Sequence, residues 1–404
     1  MKDLISKWGE AAYTSVGFFW MALWAFILGY LISSIIQVFV TEARMQKAMG
    51  RSGKKDILLG TFFGFISSSC SFSALATTRS IFQKGASFIS SIAFLLASTN
   101  LVIELGIIIS IFMGWQFLVG EYVGGILLIL FSYILVRIIK PDKLVAAARN
   151  KLDDNTQDDE LPAKQKLFSA ESWAKVAKQF NMEWQMVWKD VTIGFTIAGI
   201  IAAFVPDEFF RTLFINSGKT GGDYSFFTLL EHVLVGPVAA FFTFIGSMGN
   251  IPLAALLYGK GVSFAGVMAF IFSDLVVLPV LRINAKYYGW KMSLFILFLL
   301  FVSLVISSLL LHYGLDIFHL LPHSGAVTIM QKEYFQLNYT FFLNIAFAVV
   351  VLALVFLPGH KGEQHKVNHM HHHNKSSTTD TILKWLAITC MVWLITGMVL
   401  KYTI

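Results

Sequence analysis

Seven consecutive residues, Ser67-Ser68-Ser69-Cys70-Ser71-Phe72-Ser73, put five hydroxyls and a thiol into the middle of an otherwise apolar stretch. Hydroxyls both donate and accept hydrogen bonds, and a thiolate is a ligand for soft metals and metalloids. A run of Ser also interrupts a helix, because its side chains offer the backbone other partners. A second interruption, Gly246-Ser247-Met248-Gly249-Asn250 with Pro252 after it, supplies a hydroxyl, a thioether and an amide. Ser69, Cys70, Ser71, Ser73, Ser247, Met248 and Asn250 are therefore candidates for binding a small solute. Asn100 joins them, with Glu104 four residues on, a spacing that puts both on one face of a single helix. Glu104 and Asp274 are carboxyl groups within apolar segments. Such groups are costly in a bilayer and mark solute or proton pathways, which makes both candidates for coupling. Glu121, the Glu231-His232 pair and Arg79 read instead as charges near a membrane surface. His360, His365, His369, His371, His372 and His373 crowd one polar tract. Neutral imidazole binds zinc, copper and nickel, so the tract is a candidate for collecting such ions, though its spacing defines no single tetrahedral site.

These residues have to be held by apolar segments, which lie at about 13–40, 57–83, 86–112, 115–139, 187–205, 226–258, 262–282, 287–311, 338–358 and 382–402. A bilayer crossing needs roughly 20 apolar residues. Hydrophobic residues make up 56% of the 404-residue chain and charged residues only 14%, which excludes a soluble enzyme built on one core and predicts an all-α polytopic membrane protein. The net charge of +7 is no nucleic-acid signal, because Lys and Arg fall in short loops beside apolar segments. Excess positive charge assigns loop 41–56, the stretch after residue 137, link 282–291 and loop 359–381 to the cytoplasm. Loops 206–225 and 312–336 are assigned to the outside. The two cysteines, Cys70 and Cys390, lie within apolar segments and support no disulfide framework. The N-terminal MKDLISKWGE has no cleavable-signal pattern, so the first apolar segment is expected to be retained.

The loop assignment creates a conflict. An inside loop at 41–56 and an outside turn near Gly114 require an odd number of crossings between them, yet segments 57–83 and 86–112 both lie there. Segments 226–258 and 262–282 pose the same problem in the second half. One member of each pair is therefore expected to be a re-entrant hairpin, and the polar interruptions nominate 57–83 and 226–258. Non-helical backbone at that depth survives only inside protein or against a water-filled cavity. The two regions also resemble each other. Lys84-Gly85-Ala86-Ser87-Phe88 aligns with Lys260-Gly261-Val262-Ser263-Phe264, Ala93-Phe94 with Ala269-Phe270, and Ser71 with Ser247, all at one ungapped offset of 176. Asp274 falls opposite Ser98 in this alignment.

Entry from opposite sides predicts inverted-topology repeats, in which paired interrupted segments point to the binding site. The expected division is a first membrane repeat over 1–139, a cytoplasmic linker with an interfacial helix over 140–186, a second membrane repeat over 187–311, and two C-terminal membrane helices over 312–404 joined by the His-rich loop. Within the linker, Trp173, Val176, Phe180, Trp184 and Trp188 suit the headgroup level. No Walker-type loop and no Ser/His/Asp constellation is present, so no enzymatic activity is expected and no cofactor is implied.

The two interruptions and the segments after them resemble the arsenical-permease (ArsP-type) family. Members carry a C-S-C-G-x-x-P-L-A stretch, then K/R-G-x-S/P, then an A-F-L helix. The first copy here reads Cys70-Ser71-Phe72-Ser73-Ala74-Leu75-Ala76, Lys84-Gly85-Ala86-Ser87 and Ala93-Phe94-Leu95. The second reads Gly246-Ser247-Met248-Gly249-Asn250-Ile251-Pro252-Leu253-Ala254, Lys260-Gly261-Val262-Ser263 and Ala269-Phe270. The resemblance covers roughly residues 15–310. It implies export of small solutes, with trivalent organoarsenicals as the best-known class and copper or zinc export among related members. This chain departs from the pattern at its second Cys, which is Phe72 here and Met248 at the matching position of the other half. A two-thiolate arsenic site is therefore unavailable within the motif. The last two apolar segments and the His-rich loop lie outside the resemblance.

Three cargoes stay open for a secondary permease of the bacterial inner membrane. One is a soft or metalloid solute bound at the paired tips. A second is zinc or copper, collected by the His-rich loop. A third is a small anion held by helix N-termini and tip hydroxyls. A membrane scaffold with no transport cycle has no need of paired helix breaks. The expected partners are a small solute or metal ion and the lipid bilayer, with no nucleic acid; a homo-oligomer is compatible with the sequence.

Overall fold

The structure, a computed structural model, describes residues 2–39, 54–67, 71–153, 170–217, 224–243, 247–322, 334–356 and 378–403. Regular structure among them is helical throughout. The first half contains α1 (Lys2–Phe39), α2 (Lys54–Ser67), α3 (Ser71–Gln83), α4 (Phe88–Asn100), α5 (Ile103–Phe112), α6 (Trp115–Ile139) and α7 (Asp142–Asp153). The second contains α8 (Ala170–Phe204), α9 (Asp207–Leu213), α10 (Phe226–Thr243), α11 (Ser247–Gly259), α12 (Phe264–Phe272), a 3₁₀ turn (Ser273–Leu275), α13 (Leu278–Tyr288) and α14 (Trp290–Ile317). Two further helices, α15 (Tyr339–Phe356) and α16 (Thr378–Thr403), follow.

Among the described residues, six helical stretches are long and apolar enough to cross a membrane: Leu4–Ile35, Trp115–Ile139, Ser172–Phe204, Phe264–Tyr288, Trp290–Ile317 and Thr381–Thr403. A seventh arises if α4 and α5, which meet at a 41° bend, form one broken span. The chain is thus an all-α, multi-pass membrane protein, as its composition predicts.

The helices form two compact units. One is built from Met1–Val38, Gln165–Val205 and Glu333–Ile404 and contains α1, α8, α15 and α16. Lipid tails give apolar helices no hydrophobic reason to associate, so close backbone approach and interhelical hydrogen bonds carry the packing. Gly199 of α8 sits against Ser15 and the Ala11 carbonyl of α1, and Gly397 of α16 sits against Ala12 and Trp8. The Trp8 indole donates to the Trp393 carbonyl at 3.2 Å and stacks on its ring. The Asn344 amide of α15 accepts from the Trp24 N–H at 2.9 Å and donates to the Trp20 carbonyl at 2.8 Å. Residues 170–204 run as one helix, so the amphipathic stretch around the buried Val176 and Phe180 shares an axis with the apolar stretch after it.

The other unit, from Phe39–Lys164 and Pro206–Lys332, contains α2–α7 and α9–α14. Gly60 of α2 faces Ser90 of α4, and Gly64 faces Phe94 and Ala97, so α2 and α4 run side by side in the same direction. α3 runs against α4: Phe82 meets Phe88, and Leu75 lines one cavity with Leu95. α2 and α3 are therefore antiparallel to each other, both resting on α4. The second half repeats this arrangement. His232 of α10 faces Gly266 of α12, and Gly236 faces Gly266 and Phe270. α11 then folds back onto α12 through the turn at Lys260–Ser263.

The two turns match bond for bond. Ala86 N–H reaches the Ile81 carbonyl at 3.2 Å and Val262 N–H reaches Leu257 at 3.0 Å, while Gly85 and Gly261 bond to Phe82 and Tyr258. Both glycines have positive φ, +105° and +86°. This is the helix-ending geometry in which a left-handed residue satisfies the last carbonyls, and only glycine enters it without strain. Ser87 then caps α4 by accepting from Ser90 N–H at 3.2 Å, and Ser263 caps α12 by accepting from Gly266 N–H at 3.1 Å. α6 and α14 each start at a Gly-Trp pair, Gly114-Trp115 and Gly289-Trp290, and pack against each other through a Ser132–Ser303 hydroxyl contact at 3.1 Å. At one end of this unit α7 ties the α3–α4 turn to the end of α13. Arg149 donates to the Ala86 carbonyl at 2.7 Å, Gln83 donates to Leu152 at 2.7 Å, and Lys151 reaches Ala285 at 3.4 Å.

Candidate functional site

α3 starts at Ser71, α11 starts at Ser247, and the two starts meet. The hydroxyl oxygens lie 3.0 Å apart. Asp274 closes the group: its Oδ2 accepts from Ser247 Oγ at 2.7 Å and from Ser71 Oγ at 3.3 Å. Asp274 is there because α12 ends early. Ser273 bonds back to the Phe270 carbonyl, a 3₁₀ turn follows, and α13 restarts with Pro279 in its first turn. A proline there has no N–H to satisfy and its ring is preset for a helix start. The carboxyl group, only 3% exposed, faces the first residues of two helices. Unbonded N–H groups make such helix starts partly positive, so a carboxylate is favoured there. Asp274 Oδ1 has no hydrogen-bond partner.

Further buried polar groups lie in the same unit. Asn250, one turn into α11 from Ser247, is 1% exposed, and neither atom of its amide has a partner. Met248 beside it is half-buried. Asn100 is buried and donates to the Leu96 carbonyl at 3.2 Å and to Thr99 Oγ1 at 3.0 Å. Glu104 is also buried, in the first turn of α5, where a helix start favours an acid. The expectation that Asn100 and Glu104 share one helix face is corrected: α4 ends at Asn100, and the 41° bend at Leu101-Val102 puts Glu104 on a different helix. Ser69 and Cys70 lie outside the described residues, as do the Ser73 side chain and all of His360, His365, His369, His371, His372 and His373. Among the described residues, no group of three or more His, Cys, Asp or Glu is arranged to hold a metal ion.

Sequence reasoning passed over Glu121. It is fully buried in α6, and neither carboxyl oxygen has a hydrogen-bond partner. Its signal was an acid seven residues into a 25-residue apolar helix and bracketed by Gly120, Gly124 and Gly125. Those glycines let neighbouring side chains close over the helix surface. The His232 ring proves structural. Its Nδ1 accepts from Ser263 N–H at 3.1 Å, so Nε2 carries the hydrogen and donates to the Ile215 carbonyl at 2.9 Å. Arg79 lies over the Tyr287 ring at 4.6 Å.

Residues 7–313 match the model of the predicted-permease family ArsP_1. The chain belongs to this family. A Mycobacterium tuberculosis protein named "Putative permease Rv2963" is 36% identical over 329 residues, covering 78% of this chain and 79% of its own length. The "UPF0718 protein YraQ" of Escherichia coli is 25% identical over 129 residues, 32% of this chain and 37% of its own length. No solved structure matches the chain. The ArsP_1 match takes in both helix breaks and the Ser71–Ser247–Asp274 junction; α15, α16 and the His tract lie beyond it. As an ArsP_1 permease, the protein is a multi-pass permease of the bacterial inner membrane.

Proposed function

We propose that this permease is a secondary exporter of a small metalloid solute of the trivalent organoarsenical kind, bound where the starts of α3 and α11 meet. The Ser71–Ser247–Asp274 junction carries the reading. In this reading α2–α6 and α10–α14 are two inverted repeats, each a re-entrant hairpin, a broken crossing and a full crossing. Opposite helix directions support it. α7 stands by the first hairpin's turn, whereas the second hairpin's turn is bonded by Tyr224, whose hydroxyl donates to Gly261, and by Tyr258, whose hydroxyl donates to Pro322.

The chemistry of the junction favours a neutral, hydroxylated solute over an anion. The carboxyl group of Asp274 already occupies the place an anion would take at the two helix starts. A trivalent arsenical carrying As–OH groups donates to Asp274 and accepts from Ser71 and Ser247. Cys70, next in sequence to Ser71, would form one As–S bond by displacing an As–OH group, which leaves with the thiol proton as water, and Ser69, Ser73, Met248, Asn250 and Asn100 would complete the surroundings. Zinc or copper export is the second reading, favoured by the Met248 thioether beside the junction and by the His-rich tract.

The test is methylarsenite accumulation in a sensitive bacterial host expressing the wild-type protein or its Ser71→Ala, Ser247→Ala, Asp274→Asn and Cys70→Ser variants. Wild type is expected to lower accumulation, and the Asp274 and Cys70 variants to lose that effect. Accumulation unchanged by wild type, with membrane expression verified, refutes the arsenical reading. The same assay then goes to zinc and copper with residues 360–375 deleted.

A further inference from the structure

Glu121 has no role in the solute site, yet nothing in unit-wide packing explains a carboxyl group at its position. It is completely buried, and both oxygens lack a hydrogen-bond donor. α6 packs against α4, α5, α12 and α14. On either side of Glu121, Gly120 faces Phe264 and Met268, Gly124 faces Phe272 and Leu311, and Gly125 faces Leu101 and Asn100. The titratable groups around it are few. Asp274 lies two residues beyond Phe272, whose ring faces Gly124 one turn along α6 from Glu121. α5 brings Glu104, which shares Tyr122 with Glu121 as a neighbour; the Tyr122 hydroxyl donates to Val102. α11 brings Tyr258, in ring contact with Phe117 one turn away. α14 brings His312, whose Nδ1 also lacks a partner, and Asp316 beside it. α4, α5, α11, α12 and the 3₁₀ turn contain no Lys or Arg.

A bare carboxylate without donor or counter-charge is among the least tolerable groups in a membrane interior. The neutral acid fits these surroundings. Asp274 is placed differently, with two hydroxyl donors on Oδ2 and two helix starts facing it, and it can hold negative charge. Two carboxyl groups in one field do not ionise independently. Charge on one holds the proton on the other, and a solute that displaces Asp274 from Ser71 and Ser247 disturbs both.

We propose that Glu121 is the proton-exchanging carboxyl group of this permease, paired with Asp274, and that it couples solute export to inward proton movement. The coupling rests on the junction being the solute site. Per cycle, Glu121 takes one proton from water on the outer side and releases it to water on the cytoplasmic side, while one solute moves outward. No bond other than O–H forms or breaks. Glu121 buried and unbonded is the loaded state, and it gives up its proton once α6 and its neighbours part and admit water.

The experiment has two arms. In the first, purified full-length protein without solute is titrated by infrared difference spectroscopy. Wild type and Asp274→Asn are expected to show a protonated-carboxyl band near neutral pH that Glu121→Gln lacks and Glu121→Asp restores at shifted frequency. A band unaffected by Glu121→Gln overturns the proposal whatever the solute. In the second, proteoliposomes are loaded with methylarsenite. Glu121→Gln is expected to lose the pH-driven component of transport, while counterflow, which needs no net proton movement, persists. Wild-type-like pH-driven transport in Glu121→Gln, or transport driven by sodium instead, overturns it. Wild-type protein that moves no methylarsenite defeats the arsenical reading, and the infrared arm still decides whether Glu121 holds the proton.

Discussion

Removing the junction hydroxyls one at a time and together tests whether Ser71, Ser247 and Asp274 act as a unit. Ser247 donates to Asp274 at 2.7 Å and Ser71 at 3.3 Å. A hydrogen bond to a charged group contributes about 1.5–3 kcal/mol, and short bonds lie at the upper end. Ser247→Ala is thus expected to cost about 3 kcal/mol and Ser71→Ala about 1.5 kcal/mol. With both hydroxyl hydrogens donated to Asp274, none is left for the Ser–Ser approach at 3.0 Å, so the coupling runs through the shared carboxyl oxygen. Losing either donor lets Asp274 take a proton more readily, and the remaining bond, then made to a neutral acid, is worth less, so the double variant costs less than the sum of the singles by about 1 kcal/mol. An orphaned Asp274 oxygen works in the opposite direction, but the group relieves itself by taking a proton, which limits that effect. At about 2 °C per kcal/mol for a chain of this size, the losses in Tm are about 6 °C, 3 °C and, for the double variant, 7 °C rather than 9 °C. Tryptophan fluorescence during thermal unfolding in detergent resolves such shifts. In an Asp274→Asn background both single losses should shrink. Additive losses, a Ser71→Ala cost equal to that of Ser247→Ala, or unchanged costs in the Asp274→Asn background would refute the three-way geometry.

Two further pairs probe the matched halves. A Cβ at Gly60 would lie 2.6 Å from the Ser90 carbonyl oxygen, and one at Gly236 would lie 2.8 Å from the Gly266 carbonyl oxygen. Backbone cannot yield as a side chain does, so Gly60→Ala and Gly236→Ala should each cost about 1–3 kcal/mol by the same unfolding measurement; a neutral result at either means its hairpin arm is not pressed on the crossing helix. Ser87→Ala and Ser263→Ala each remove one helix cap, worth about 1 kcal/mol, and equal losses in Tm are expected because the two caps have the same geometry.

The helix breaks were legible because their cause is local. Ser, Gly and Asn runs weaken a helix wherever they occur, and α2 ends at Ser67 while α11 begins at Ser247. The matched turns were legible for the same reason. Lys84-Gly85-Ala86-Ser87 and Lys260-Gly261-Val262-Ser263 each contain a helix stop, a left-handed glycine and an N-cap within a few residues. Continuity across Leu101-Val102 was misread because Ser98-Thr99-Asn100, the polar run directly before the bend, was taken as part of one helix face rather than as a helix end. Glu121 was misread because distance along a helix measures depth but not which face is covered. Its burial depends on glycines that admit Phe272 and Leu101 from other helices.

By itself the sequence determined that the chain is helical and membrane-embedded, where segments 57–83 and 226–258 break, and which short motifs recur at an offset of 176 residues. These depend on composition and on interactions within a turn or two of helix. Tertiary structure decided that Ser71 and Asp274, 203 residues apart, bond to each other, and that Ser247 joins them. It also decided that α1, α8, α15 and α16, from three separate stretches, make one unit. The physical reason is that an apolar helix face is equally content against lipid or against another helix. Its partner is chosen by a few close-packed glycines and buried hydrogen bonds, which only the assembled fold brings together.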